Sequence, residues 1–219
     1  MIDVADSSSP LLNQDDVRSL LTELGQRLAA KNIEARIFIV GGSAMALAFD
    51  RSRVTRDIDA VYAPKEEVYR EAQSLAQDRG LPADWLNDAA KGYAPSPPVV
   101  GQSFDVPGLS VGVASAEYLF VMKARAARPG ADRDDLKLLA REVGVTEADQ
   151  AMDLIERYYG SIPMEAKVEF FVREIMDELA TERARENLPD RRGGVRTRDS
   201  KGRFRPSTGD GPSGSCDRR

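Results

Sequence analysis

The sequence predicts an α/β (α+β) protein, with strands and helices interleaved to about residue 112 and helices alone after that. Three observations carry this reading. A β-branched run over residues 35–40 stops at Gly41-Gly42, as a buried strand would. A second strand-like run, about 57–62, follows a polar loop. From Ser115 onward the segments have helical length, caps and breakers.

The elements follow in order. Asp15 or Asp16 is placed to cap a helix running to about Lys31, whose Val17, Leu20, Leu21, Leu24 and Leu28 fall on one face. The strand over 35–40 comes next. Ser43 then opens a short helix over 44–49. The loop 50–56 leads to the second strand, and Pro64 sits at the first turn of a helix ending near Gly80. Glu66 and Glu67 lie at that helix's positive end. Residues 81–110 read as irregular, with one hairpin around Pro107-Gly108. Ser115 caps a helix over 116–128, Pro129-Gly130 breaks it, and helices over 132–143, 146–158 (with a T-x-x-D cap) and 164–187 complete the chain. Residues 1–10 read as a loose leader and those from 190 onward as disordered. The expected organisation is therefore an α/β core over 1–112, a helical part over 113–189 and a tail over 190–219.

Composition narrows the chemistry. The chain has 219 residues, 42% hydrophobic and 31% charged, an ordinary globular balance. No run approaches the roughly 18 apolar residues of a membrane span. The opening MIDVADSSSP has neither a basic region nor an apolar stretch, so no secretory signal and a cytoplasmic location are expected. Cys216 is the one cysteine, which excludes a disulfide framework and a thiolate metal site. Histidine is absent, which excludes Ser-His-Asp and Cys-His catalysis and a His-ligated zinc. Carboxylates with hard metal ions remain the natural means. Residues 190–219 hold nine Lys or Arg against four Asp or Glu, so a tail of +5 follows a body of −10. An acidic body with a basic tail points to nucleic-acid contact or to a plain solvated extension.

Three features carry chemistry. The Gly41-Gly42-Ser43 turn from strand into helix suits a phosphate: glycines admit a close approach, the helix start offers unpaired N–H groups, and Ser43 adds a hydroxyl. The alternative is a plain turn. Fourteen residues after Ser43 stands Asp57-Ile58-Asp59. Side chains alternate along a strand, so the two carboxylates share a face and repel unless a cation sits between them. One or two Mg²⁺ ions fit; the alternative is a strand cap beside an exposed edge. Lys123 lies on a helix among Phe120, Val121 and Met122, and Asp132 and Asp135 follow one turn apart. These three also read as a solvated lysine, a cap and a surface charge. Trp85, with Asn87 and Asp88, shapes a pocket or anchors a loop.

Together the motifs resemble the DNA polymerase β-type nucleotidyltransferase superfamily. The series VGGSAMALAF, RVTRDIDAV, DWLND, ASAEYLFVMKARAAR and DRDDLKLL resembles small bacterial nucleotidyltransferase-like proteins of the DUF6036 and AbiEii/MenT type, over about residues 36–143. The resemblance implies a nucleotidyltransferase fold with a mixed sheet and a C-terminal helical part. It implies that Asp57 and Asp59 ligate Mg²⁺ and that Gly41, Gly42, Ser43 and Arg56 bind the nucleotide. Lys123 would then meet phosphate charge, with Asp132 and Asp135 completing or orienting the site. The implied reaction moves a nucleotide from Mg-NTP to an acceptor, the 3′ end of tRNA in similar toxins, within a toxin-antitoxin pair. A cognate antitoxin protein is then a partner and a membrane is not. The alternatives are a non-catalytic nucleotide-binding or antitoxin-like protein, and transfer to a small molecule or protein. One departure stands out: many superfamily members carry a third carboxylate on a later strand, and the candidate, Asp105, reads as part of a turn.

Overall fold

The structure is a computed structural model that describes residues 10–160 and 162–187. The expectations for residues 1–9 and for the basic tail, Cys216 included, lie outside the described residues. The chain divides into two compact units, Met1–Asp177 and Glu178–Arg219. Of the second, the described part is the end of the last helix; the first holds everything that follows.

Among its described residues the first unit is α/β, built on a five-stranded mixed sheet. The spatial order is β3 (Leu86–Asn87), β2 (Ile58–Ala63), β1 (Ala35–Ile39), β5 (Leu109–Ala114) and β4 (Val100–Val106). Strand β1 runs antiparallel to β2 and parallel to β5. Strand β3 is parallel to β2, and β4 and β5 form an antiparallel hairpin. The helices are α1 (Gln14–Ala29), α2 (Gly41–Ala48), α3 (Lys65–Arg79), α4 (Ala116–Ala126), α5 (Pro129–Val143), α6 (Ala148–Tyr159) and α7 (Ala166–Glu186). None of them is long and apolar enough to cross a membrane.

Strand alternation sorts the two faces of the sheet. Ala35, Ile37 and Ile39 point one way and register with Leu109, Val111 and Val113 of β5, all buried. Leu109 lies against Gly25 of α1, so this is the face that α1 covers. Tyr62 and Ala60 pair with Ile37 and Ile39, which puts Ile58, Ala60 and Tyr62 on the same side. Phe38 points to the other face and meets Tyr118 of α4 edge-on, 5.2 Å between ring centres. The two acids of the D-x-D motif flank Ile58 and therefore face α4.

The five apolar positions of α1 are all buried, each contributing about 1.5–3 kcal/mol by leaving water. A Cβ at Gly25 would lie 2.5 Å from the Pro107 carbonyl oxygen, so only glycine lets α1 seat on the β4–β5 turn.

Several boundaries depart from expectation. The α1 cap is Asn13, not Asp15 or Asp16. Its Oδ1 accepts from the N–H groups of Asp15 and Asp16, and the Asp16 carboxylate accepts from the Asn13 N–H in return, a reciprocal arrangement that no single Asp provides. Helix α2 begins at Gly41, which leaves Ser43 inside the helix. Pro129-Gly130 starts α5 rather than breaking the chain, because the N–H that proline lacks has no partner at N1 anyway. Glu147, not Thr146, caps α6: Gln150 Oε1 gathers both their N–H groups and sets the entry one residue later. Residues 81–110 hold β3, β4 and the start of β5; the expected hairpin around Pro107-Gly108 is the β4–β5 turn, and the strands in the stretch expected to be irregular are the departure. Strand β3 has two residues, and β4 is a mostly exposed edge, so neither shows an apolar run. The expected 112/113 boundary falls within β5.

Candidate functional site

The site starts from β2. Ile58 is fully buried and fixes the strand's facing, so Asp57 and Asp59 turn away from α1. Asp57 lies one residue before β2, not on it, and is held from two sides. Asn87 Nδ2 donates to its Oδ2 at 2.8 Å, and Thr55 Oγ1 donates to its carbonyl oxygen at 3.0 Å. Asn87 is delivered by β3, which registers it beside Asp59. Asp59 is half-buried. Burial, then the charge of Asp57, push its pKa from 3.8 up to about 6, against the pull of Arg128 and Lys123.

Helix α2 starts directly beside Asp59. Gly41 has φ +66°, and a Cβ there would come within 2.6 Å of Asp59 Oδ2. The first residues of α2 have no side-chain cap, which leaves its N-terminal N–H groups available to an anion. Gly42 packs on Thr55, where a Cβ would meet Thr55 Oγ1 at 2.9 Å. Ser43 is fully buried, and its hydroxyl donates to the Val40 carbonyl at 3.1 Å. The turn thus presents backbone rather than the serine hydroxyl to a ligand.

A second cluster lies across α4 and α5. Lys123 is buried, and its Nζ bonds Asp132 Oδ1 and Asp135 Oδ2, both at 2.7 Å. Arg53, from the loop before β2, grips Asp135 with both terminal nitrogens at 2.5 and 2.7 Å. Arg128 holds Asp132 through Nε at 2.8 Å and Nη2 at 3.2 Å. Burial favours the neutral form of Asp132, but hydrogen bonds and charge from Arg128 and Lys123 outweigh it and hold its pKa below the ordinary value. Three cations thus surround two buried carboxylates.

The two clusters meet in one cavity of about 240 Å³. Gly41, Asp59, Lys123 and Arg128 line one part with polar groups; Ala89, Ala90, Tyr93, Leu119, Met122 and Ala126 supply the rest. The structure thus brings Gly41, Asp59 and Lys123 together, with Asp57 beside Asp59 and Asp132 and Asp135 behind Lys123. Arg56 is exposed, and its neighbour Arg53 makes the ion pair with Asp135. Trp85 is a packing anchor, buried with its Nε1 donating to the Ala72 carbonyl at 3.0 Å. Asp105 lies within β4 rather than in the turn, paired with Ser110 of β5 and level with Arg36, at the end of the sheet opposite Ile39 and Ala60.

Arg53 and Arg128 stand at the ends of the RVTRDIDAV and ASAEYLFVMKARAAR segments but are not singled out there as site residues, and Tyr93 lies in neither. Arg128 sits at the start of α5 and Tyr93 after a short 3₁₀ turn, so their place at the cavity depends on chain packing.

The donor set suits a hard cation. Burial first, and then the neighbouring charge of Asp57, raise the pKa of Asp59, and a divalent ion bound by carboxylate oxygens at this face would offset both costs. Among the described residues no group of three or more His, Cys, Asp or Glu is gathered for a metal. No family model matches the chain, and comparison with curated proteins and with solved structures finds no match.

Proposed function

We propose that the protein is a metal-dependent nucleotidyltransferase that moves a nucleotide from Mg-NTP to an acceptor hydroxyl. The observation that carries this is the shared cavity: Asp59, the uncapped start of α2 and two cations border a pocket whose remaining wall is mostly apolar, with Asp57 beside Asp59 on the same face. Such a pocket matches a ligand with a polyanionic chain and a flat, weakly polar body.

The residues divide the work. Asp57 and Asp59 hold the metal, which when bound neutralises phosphate charge and steadies the attacking and leaving oxygens. Asn87 orients Asp57. The α2 start meets the phosphate chain, and the cations at the cavity add positive field. The apolar walls and Tyr93 take the base. In the transfer, the acceptor oxygen bonds to the α-phosphorus as the bond to pyrophosphate breaks. The acceptor is the 3′ end of tRNA and the setting a toxin with a cognate antitoxin, on the motif resemblance and the basic tail.

A second reading is nucleotide binding without turnover. The observation that favours it is Lys123, whose ammonium is held between Asp132 and Asp135. One experiment separates the two: incubation with each α-labelled NTP, Mg²⁺ and total tRNA, resolved on a denaturing gel. Label on tRNA that is lost in Asp57→Ala supports the transferase. Label on the protein or a small molecule keeps the transferase and changes the acceptor. NTP bound but never transferred by folded protein supports the second reading.

A further inference from the structure

Three cations surround the buried carboxylates, and they are not equivalent. Lys123 has 7% of its side chain exposed, and its Nζ is already within 2.7 Å of both Asp132 and Asp135. Arg53 has both terminal nitrogens on Asp135, and it does not line the cavity. Arg128 differs on both counts. It lines the cavity with Gly41 and Asp59, and 64% of its side chain is exposed.

We propose that Arg128 is the residue that binds the phosphate chain of the nucleotide, with Asp132 as its positioning partner and Lys123 as part of the scaffold beneath. This rests on the nucleotidyltransferase reading above and assigns its phosphate contact.

The geometry supplies the argument. Asp132 is 1% exposed and engages one edge of the guanidinium, Nε and Nη2. A buried carboxylate gripping one edge fixes the plane of the fork, and the rest of the group stays exposed at the cavity. A guanidinium so oriented presents parallel N–H donors, the arrangement that matches two phosphate oxygens, and loses little freedom when they arrive. Arg128 and Asp59 line the same cavity, so the metal-binding carboxylate and the phosphate-binding cation face one ligand. Lys123 cannot exchange partners as cheaply: moving its Nζ to a phosphate would take one cation from each of two buried carboxylates at once, leaving Asp135 to Arg53 and Asp132 to Arg128.

The test is calorimetric titration of the full chain with each Mg-NTP, with Mg-bound inorganic triphosphate and with the matching nucleoside monophosphates. Wild type is compared with Arg128→Gln and Arg128→Lys. Arg128→Gln is expected to weaken triphosphate and NTP binding about 10- to 100-fold, the scale of a charge-assisted hydrogen-bonded pair. Monophosphate binding should change less than about twofold; the melting temperature is expected to fall because the buried Asp132 loses a hydrogen-bonded partner, so all proteins are compared at a temperature where circular dichroism shows each folded. Arg128→Lys should recover part of the loss. A purely structural role would not single out ligands by phosphate number. Wild-type triphosphate affinity in Arg128→Gln, or an equal loss for every ligand, overturns the assignment and leaves the transferase reading standing. If wild type binds no NTP and no triphosphate, the transferase reading fails and the assignment with it.

Discussion

Gly41 and Asp59 are packed so closely that no larger residue fits between them: a Cβ on Gly41 would stand 2.6 Å from Asp59 Oδ2. The first residue of α2 and the second acid of the D-x-D motif therefore form one unit, although seventeen positions separate them. Gly41 also has φ +66°, a conformation that side chains disfavour.

Replacement of Gly41 by Ala meets both obstacles. The left-handed backbone alone costs about 1–2 kcal/mol, and the new methyl displaces the Asp59 carboxylate. Gly41→Ala is expected to lower the melting temperature and to weaken Mg-NTP binding at least tenfold. Gly130, open on all sides and at ordinary φ, is the control, and its Ala variant should do neither. Equal behaviour of the two variants would show that the contact is unimportant.

The raised pKa of Asp59 makes a statement about pH. The folded state holds this proton more tightly than the unfolded chain, whose carboxyl titrates near 3.8. The resulting stability is fully present below 3.8 and is lost as pH rises through about 6. Asp59→Asn removes the ionisation. It should melt above wild type well above pH 6, with the gap closing toward pH 4. Divalent-ion affinity of wild type should fall below pH 6, because the ion must then displace a proton. Superimposable melting curves for the two proteins across this range would refute the assignment.

Lys123→Met leaves Asp132 and Asp135 buried with reduced compensation. Breaking a buried ion pair in this way costs about 3–5 kcal/mol. Chemical denaturation should show a loss of that order, and the double variant Lys123→Met/Asp135→Asn should recover part of it. A variant as stable as wild type would mean that Lys123 is solvated after all.

Asn87→Ala removes the side-chain donor that holds Asp57 Oδ2. Losing such a support typically costs 10- to 100-fold in metal affinity. Mn²⁺ binding followed by paramagnetic relaxation is the direct measure, with circular dichroism to confirm the fold. Unchanged affinity would remove Asn87 from the site.

Much of the architecture was readable from local pattern. The four leucines and one valine of α1, the β-branched run of β1, and Ser115 as the α4 cap all announce themselves, because each depends on near neighbours in the chain. The strand with no local signal is β3, whose pairing is nonlocal, whereas the β4–β5 hairpin is marked by its turn at Pro107-Gly108. Strand β3 exists because β2 lies beside it, and β4 has so little buried surface that alternation leaves no trace. The acids Asp57 and Asp59 were legible from their spacing around one buried residue. Asp132 and Asp135 showed one-turn spacing, but nothing local said that both bury against Lys123.

The sequence by itself determined the fold class, the facing of the D-x-D pair and the absence of histidine chemistry, since these follow from composition and from periods of two and 3.6 residues. Tertiary structure alone decided which cation is accessible. Lys123, Arg53 and Arg128 are all plain positive charges in the chain, and only the packing of α4, α5 and the loop before β2 closes carboxylates around the first two while leaving the third open to solvent. Electrostatic role depends on burial and on partners far away in the chain, and neither is written in local spacing.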